Sequence, residues 1–257
     1  MRNYWAILRK ELHTLFVSPI AYVVLAVFYG VSGYFFYIIL SFYVQQAAMR
    51  QFGPSPFPMN VPSLVMESYL GVMSTILLFL LPMVAMGIFA EERKRGTMEL
   101  LLTSPITYSQ LILGKFSAGL IFLLVMLAPA VLNVWLLVSY SEPRPAVTPY
   151  LIGLLGALLL GAALLAMGVF ISSLTENQIV AAATTFGFFI VLWVLDAAAS
   201  SSTTAWNEVL RYLSVLNHYE DFTRGIFDTQ HLVFYLSFIF LGLFLTSLSL
   251  ESEKWRK

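Results

Sequence analysis

The chain has 257 residues, of which 59% are hydrophobic and 11% are charged, whereas soluble globular domains carry roughly 25% charged residues. The formal net charge is zero, which excludes the broad basic surface that nucleic-acid binding requires. The absence of cysteine excludes thiolate nucleophiles, disulfides and cysteine-ligated metal sites. The composition therefore predicts a protein that is solvated by lipid.

The first segment, residues 1–18, has the pattern of an amphipathic helix. On a helical wheel its apolar residues occupy one arc and its polar residues the other, which is typical of a helix in the cytoplasmic membrane interface. The apolar arc comprises Tyr4, Trp5, Leu8, Leu12, Leu15 and Phe16. Pro19 disfavours helix in the residue ahead of it, so we expect a break there. A cytoplasmic extension of the first span is the alternative.

Six apolar runs then follow, each long enough to cross a bilayer core, which takes about 20 residues in a helix. Lipid offers the backbone no hydrogen-bond partner, and the runs lack the alternation of barrel strands, so we expect helices. The predicted spans are residues 19–44, 68–90, 109–138, 150–174, 178–199 and 231–250. The predicted fold class is all-α, a polytopic membrane protein with one transmembrane domain over residues 1–257.

The basic residues predict the orientation of these spans. Ten of the fourteen lie in the N-terminal segment, at the loop after the second span or at the C-terminus. Short loops rich in lysine and arginine stay in the cytoplasm, so both termini are expected there.

Sequence motifs for catalysis are missing. The nearest approach to a phosphate-binding loop is Gly114-Lys115, but Phe116 follows where serine or threonine is needed. The three histidines are scattered along the sequence and form no zinc-binding motif, and there is no nucleophile elbow. We therefore expect no enzymatic activity and no metal site, unless an intramembrane site is too dispersed for the sequence to show.

The loop after the second span, residues 91–108, has the marks of an ordered element. Glu91 and Glu92 end the span, cations hold that end at the cytoplasmic surface, and Gly96 permits a sharp change of direction. Thr97 is a suitable cap for a short helix. The pattern indicates either a docking element or an ordinary positive-inside loop with a capped helix.

A pattern in this loop resembles the signature of the ABC-2 family of ABC transporter permeases. It reads Glu92-x-x-x-Gly96-Thr97-x-Glu99-x-Leu101-Leu102-x-x-Pro105. The order of elements along the whole chain is similar as well. Two further strings, which begin at Phe16 and His218, resemble the subgroup of gliding-motility-associated permeases.

The resemblance implies the permease subunit of an ATP-driven exporter in the bacterial inner membrane. Its partners would be a separate ABC ATPase subunit, which binds ATP and Mg, a second permease copy or related permease, and a protein with an external domain. The candidate coupling residues toward the ATPase are Glu91, Glu92, Arg93, Gly96, Thr97, Glu99, Leu102 and Pro105. The uninterrupted basic run at residues 93–95 departs from the family pattern and bears on the choice of ATPase.

The segment between the last two spans, residues 200–230, is predicted to be external or partly re-entrant. Its polar run is either an outer gate or a structural pairing of Glu220 or Asp221 with Arg224. The candidate gate residues are Asp196, His218, Glu220, Asp221 and Arg224.

In the fourth span, Gly153, Ala157 and Gly161 recur every four residues. Such a stripe lets another helix approach closely, and the partner helix could belong to this chain or to a second copy.

Two other functions compete with transport by an ATP-driven permease. A scaffold subunit of a motility or assembly complex would use the same ATPase for mechanical work without substrate passage. A secondary transporter would need carboxylates or broken helices near the bilayer centre, whereas the mid-span positions are almost wholly uncharged.

Overall fold

The computed structural model describes residues 2–51, 60–98, 106–199, 212 and 214–254. Across these ranges the chain forms helices joined by turns, without strands, which confirms the predicted all-α class. The helices are α1 (Arg2–Val17), α2 (Pro19–Gln51), α3 (Val61–Ala85), α4 (Gly87–Lys94), α5 (Tyr108–Met126), α6 (Ala128–Tyr140), α7 (Thr148–Ser173), α8 (Gln178–Ala199), α9 (Asn217–Thr223) and α10 (Thr229–Lys254).

Six helical segments in the described ranges are long and apolar enough to cross a membrane, as predicted. They are α2, α3 with α4, α5 with α6, α7, α8 and α10. Most of the helical segments extend beyond the apolar runs from which they were predicted. The second span begins at Val61, seven residues before the predicted start, since Asn60 caps it and Pro62 fits the first turn, where its missing N–H costs nothing.

The fourth span, α7, is the central helix of the bundle. Its most apolar window is 78% buried, against 17% to 22% for α2, α8 and α10. Small residues allow this position, since a Cβ atom added at Gly161 would lie 2.7 Å from Leu123 of α5. The peripheral spans keep broad exposed faces that lipid or another chain can cover.

The predicted stripe of small residues packs inside this chain. A Cβ atom at Gly153 would lie 2.3 Å from the Leu70 side chain of α3, and Ala157 is buried. The contacts with α3 and α5 show that the helices approached at these positions belong to the same molecule.

The second span is broken at Met86, where α3 ends and α4 begins. Ser172 of α7 joins the two pieces. Its hydroxyl donates to the Met86 carbonyl at 2.9 Å and accepts from the N–H groups of Phe89 and Ala90, each at 3.1 Å. The first N–H groups of a helix lack partners within the helix, so Ser172 supplies an acceptor that α4 would otherwise lack. Ser172 thereby links the junction of α3 and α4 to the central helix.

Candidate functional site

Four charged side chains meet at the end of the bundle that carries the loop after the second span. They come from three elements: Lys10 and Glu11 from α1, Glu92 from α4, and Lys115 from α5. We call this group the cytoplasmic cluster, after the side of the membrane that the basic residues predict for this end. Lys115 is its centre, because its Nζ lies 3.1 Å from Glu11 Oε1 and 2.9 Å from Glu92 Oε2.

Lys10 completes the cytoplasmic cluster from its solvent side. Its Nζ lies 2.6 Å from Glu92 Oε1 and 3.3 Å from Glu11 Oε1, so each carboxylate lies between two ammonium groups. Burial alone would lower the pKa of Lys10, but the bonds to Glu92 and the charge of Glu11 outweigh it and raise the pKa. The cluster has two positive and two negative charges and is neutral.

Lys115 is the most deeply buried member, with 1% of its side chain exposed. Its Nζ also donates to the backbone oxygen of Ile88 at 2.7 Å and lies 5.1 Å from the centre of the Phe89 ring. A buried ammonium is tolerated only when it is paired and hydrogen-bonded, and Lys115 meets both conditions. Three of its contacts, with Ile88, Phe89 and Glu92, lie on the second span, so this lysine attaches α5 to α4.

The N-terminal helix α1 packs tightly along α5. A Cβ atom at Gly114 would lie 2.8 Å from Ile7, so only glycine permits this approach. The Tyr4 hydroxyl donates to Ser117 Oγ at 2.9 Å. The apolar packing and the cytoplasmic cluster together make α1, α4 and α5 one connected unit.

The structure describes some of the predicted coupling residues beside this cluster. Glu91 pairs with Arg95 one turn later, and the Thr97 hydroxyl donates to the Glu92 carbonyl at 3.2 Å. Gly96 has a φ of 68°, a left-handed conformation that side chains disfavour. Arg93 lies on α4, among the residues between Glu91 and Gly96. The remaining candidates lie outside the described residues: Glu99, Leu102 and Pro105.

Sequence reasoning missed that Lys10, Glu11 and Lys115 are partners of Glu92. Lys115 was considered only for the orientation of the spans and for a phosphate-binding loop, although a lysine one turn or more inside an apolar helix is a recognised signal for a buried partner. The identity of that partner could not be read, because Glu11 and Lys115 are far apart in the sequence.

The opposite end of the bundle is organised around the short helix α9. Its Tyr219 hydroxyl donates to the backbone oxygen of Leu70 at 3.1 Å, which holds it to α3. After α9 the chain turns at Gly225, where φ is 75° and an added Cβ atom would lie 2.3 Å from Pro149 of α7. Contacts with α3 and α7 therefore fix α9 over the ends of two spans.

Two of the predicted gate residues meet a third group from α10. His218 Nδ1 lies 2.6 Å from His231 Nδ1, and His231 Nε2 lies 2.7 Å from Asp221 Oδ2. His218 Nε2 lies 2.9 Å from the backbone oxygen of Tyr212. We call His218, His231 and Asp221 the histidine clasp. Burial lowers the pKa of His218, because a charged imidazole is disfavoured away from water.

The other gate candidates have separate partners. Arg224 pairs with Glu67 of α3 at 3.1 Å and with Glu220 at 3.6 Å. Asp196 accepts a hydrogen bond from the Ser214 hydroxyl. The structural reading of the pair Glu220 and Arg224 thus agrees with the geometry, whereas Asp221 faces His231, a partner that the sequence did not indicate.

Six apolar spans in the described ranges define a polytopic membrane protein, in which a charged cluster links the second span to the N-terminal helix. The model of the ABC-2 family transporter protein matches residues 5–250 of the chain. The chain therefore belongs to the ABC-2 family and is a membrane permease component of an ABC transporter. This membership implies partnership with an ABC ATPase subunit. A comparison with curated proteins finds no match.

The family resemblance expected from the loop pattern is thus confirmed. The gliding-motility subgroup stays a prediction.

Proposed function

We propose that the chain is the permease of a bacterial inner-membrane exporter and that a separate ABC ATPase drives it through the segment after α4. ATP and Mg would bind to the ATPase, and the chain itself would carry out no hydrolysis. The observation that supports this proposal most strongly is the cytoplasmic cluster. It ties the helix that leads into the ATPase-facing segment to two other elements of the membrane domain.

The break at Met86 makes α4 a short lever. Its eight residues span about 12 Å at 1.5 Å per residue. Because the helix is interrupted at Met86, α4 can tilt without bending the whole of α3. Closure of the ATPase on ATP would move α4. The free energy available to move the permease can be no larger than the difference in the free energy of ATP binding between the closed and open states of the ATPase.

The cytoplasmic cluster would make α1 and α5 follow α4. Salt bridges at 2.9 Å and 2.6 Å join Glu92 to Lys115 and Lys10. Separating them would leave buried charge uncompensated, so joint movement of the three helices is favoured over rupture. The N-terminal helix would then carry the motion along the membrane interface.

A second permease copy would complete the transporter. One chain supplies six spans in its described ranges, and only 22% and 17% of the residues in the most apolar windows of α2 and α8 are buried. Tyr34 and Tyr37 on α2 are 63% and 68% exposed, which presents phenol hydroxyls where lipid alone offers no partner. The proposal places the transport path between two such faces.

Site-specific cross-linking tests the docking step. The chain has no native cysteine, so a single introduced cysteine reports one position. In the complex assembled with its ATPase, we expect Thr97→Cys to cross-link to the ATPase. The matched control is Glu142→Cys, which is exposed at the opposite end of the bundle and should give no such product. An intact complex that cross-links at residue 142 and not at residue 97 would refute the proposed docking.

A further inference from the structure

We propose that the histidine clasp is an acid-sensitive latch that holds α9 against the start of α10 and opens when the two histidines take up a further proton. The clasp lies at the end of the bundle opposite the cytoplasmic cluster. The clasp joins these elements through three polar side chains, His218 and Asp221 on α9 and His231 on α10, beside an aromatic contact between Phe222 and Tyr235.

The geometry of the histidine clasp fixes the number of protons it holds. The backbone oxygen of Tyr212 can only accept, so His218 Nε2 carries a hydrogen. One proton lies between His231 Nε2 and Asp221 Oδ2. The Nδ1 atoms at 2.6 Å need one proton between them, because two lone pairs or two N–H groups would repel. With these three protons the clasp has no net charge. Either one ring is an imidazolium and Asp221 is a carboxylate, or both rings are neutral and Asp221 is a protonated carboxyl.

A fourth proton cannot be accommodated without loss of the clasp. If it binds at the remaining Nδ1 position, two N–H groups and two positive rings face each other at 2.6 Å. If it binds to Asp221, the negative charge that balances the imidazolium disappears. Removal of the proton between the rings is equally disruptive, so the clasp is closed only within a window of pH.

The surroundings leave Asp221 as the only charge that contacts the two rings among the described residues. The other acidic and basic groups on the packed elements are engaged elsewhere. Glu220 and Glu67 pair with Arg224, Asp196 accepts from Ser214, and Asp228 accepts from the N–H of Gln230. Protonation of these groups therefore does not act directly on the rings.

Aromatic packing keeps His218 from water while its partners reach solvent. The Phe234 ring lies 3.9 Å from the His218 ring, and His218 is 5% exposed. The side chains of His231 and Asp221 are 13% and 37% exposed and provide a path for protons. Burial lowers the pKa of His218, so the closed clasp resists a fourth proton that the opened clasp would take up. On the acid side of the window, the stability that the clasp contributes therefore falls as the pH drops.

Opening would separate α9 from α10 without detaching either helix from the bundle. The bond of Tyr219 to Leu70 keeps α9 on α3, and close packing of Gly242 against Ala166 keeps α10 on α7. The gap would form at the outer end of the last span. If the chain is an exporter, as proposed above, acid on the outer side would favour an open exit; this consequence rests on the proposed function, whereas the latch itself does not.

Nitrogen NMR of the 15N-histidine-labelled chain in lipid bilayers tests the latch without the ATPase. The protein has three histidines, and exposed His13 on α1 is an internal reference. Within the pH window in which the clasp holds three protons, we expect a coupling between the two Nδ1 nuclei through their shared proton. The coupling should disappear on further acidification. The absence of coupling at every pH, or a coupling that persists when both rings are protonated, would overturn the inference.

Two matched variants separate a latch from simple packing. Asp221→Asn removes the balancing charge and makes every proton less tightly bound, so the pH window of the coupling should move down by about one unit. Glu220→Gln changes the neighbouring exposed carboxylate, which does not contact the rings, and should leave the window in place. Equal shifts in both variants, or no shift with Asn at position 221, would show that Asp221 does not set the proton balance.

Hydrogen exchange of the same sample gives an independent readout. After correction for the intrinsic pH dependence, exchange in residues 217–231 should rise about tenfold when the coupling is lost, while α7 stays protected. Unchanged exchange across the transition would show that the rings titrate without releasing α9.

Discussion

Replacing Lys115 with methionine removes the central cation of the cytoplasmic cluster while it keeps an unbranched side chain. The Nζ lies 3.1 Å from Glu11 and 2.9 Å from Glu92, and the side chain is 1% exposed. Removal of one partner from a buried ion pair costs about 3 to 5 kcal/mol. Lys10 remains beside both carboxylates but is 54% exposed, so its compensation is partial and we expect a loss of about 3 kcal/mol in the free energy of unfolding.

A double-mutant cycle with Glu92→Gln isolates the interaction itself. The double variant lacks both buried charges, so it should be more stable than the sum of the single effects predicts, by about 2 kcal/mol. Unfolding in mixed micelles measures all four proteins. The control is Arg224→Met, which breaks ion pairs that are about half exposed and should cost at most about 1 kcal/mol. Additive effects, or equal costs at positions 115 and 224, would refute the coupling of α4 to α5.

Two further predictions concern the geometry of α4 and the segment that follows it. Ser172→Ala should lower the free energy of unfolding by about 1 to 3 kcal/mol, because the N–H groups of Phe89 and Ala90 lose their acceptor; an unchanged value would mean that water replaces the hydroxyl. Gly96→Val should lower ATP-driven transport, since a φ of 68° costs a β-branched residue on the order of 1 to 3 kcal/mol, whereas Gly71→Val, on an open surface of α3, should not.

Much of the fold follows from hydrophobic length, because lipid forces each apolar run of about 20 residues into a helix. The turn at Gly96 was likewise predictable, since glycine is the residue that tolerates its conformation. The break at Met86 was not, because it depends on Ser172 from a different span. Local sequence reports what a segment prefers, and it does not report which distant hydroxyl will satisfy an interrupted helix.

The candidate sites show the same division. The sequence indicated Glu92 as a candidate coupling residue and His218 as a candidate gate residue. It did not pair Glu92 with Lys115, or His218 with His231, since each pair joins separate helices whose packing is set by the fold. The sequence indicated which polar residues could form sites, whereas the structure was needed to identify their partners.

We expect α4 and α1 to move as one unit when the ATPase acts. Spin labels at Trp5→Cys on α1 and Lys94→Cys on α4, both exposed, report their separation, and Leu151→Cys on α7 provides a reference. Between the nucleotide-free complex and the complex trapped with ATP, the distance between residues 5 and 94 should stay within about 2 Å while both move relative to residue 151. A change in the first distance with α1 stationary against α7 would contradict this expectation.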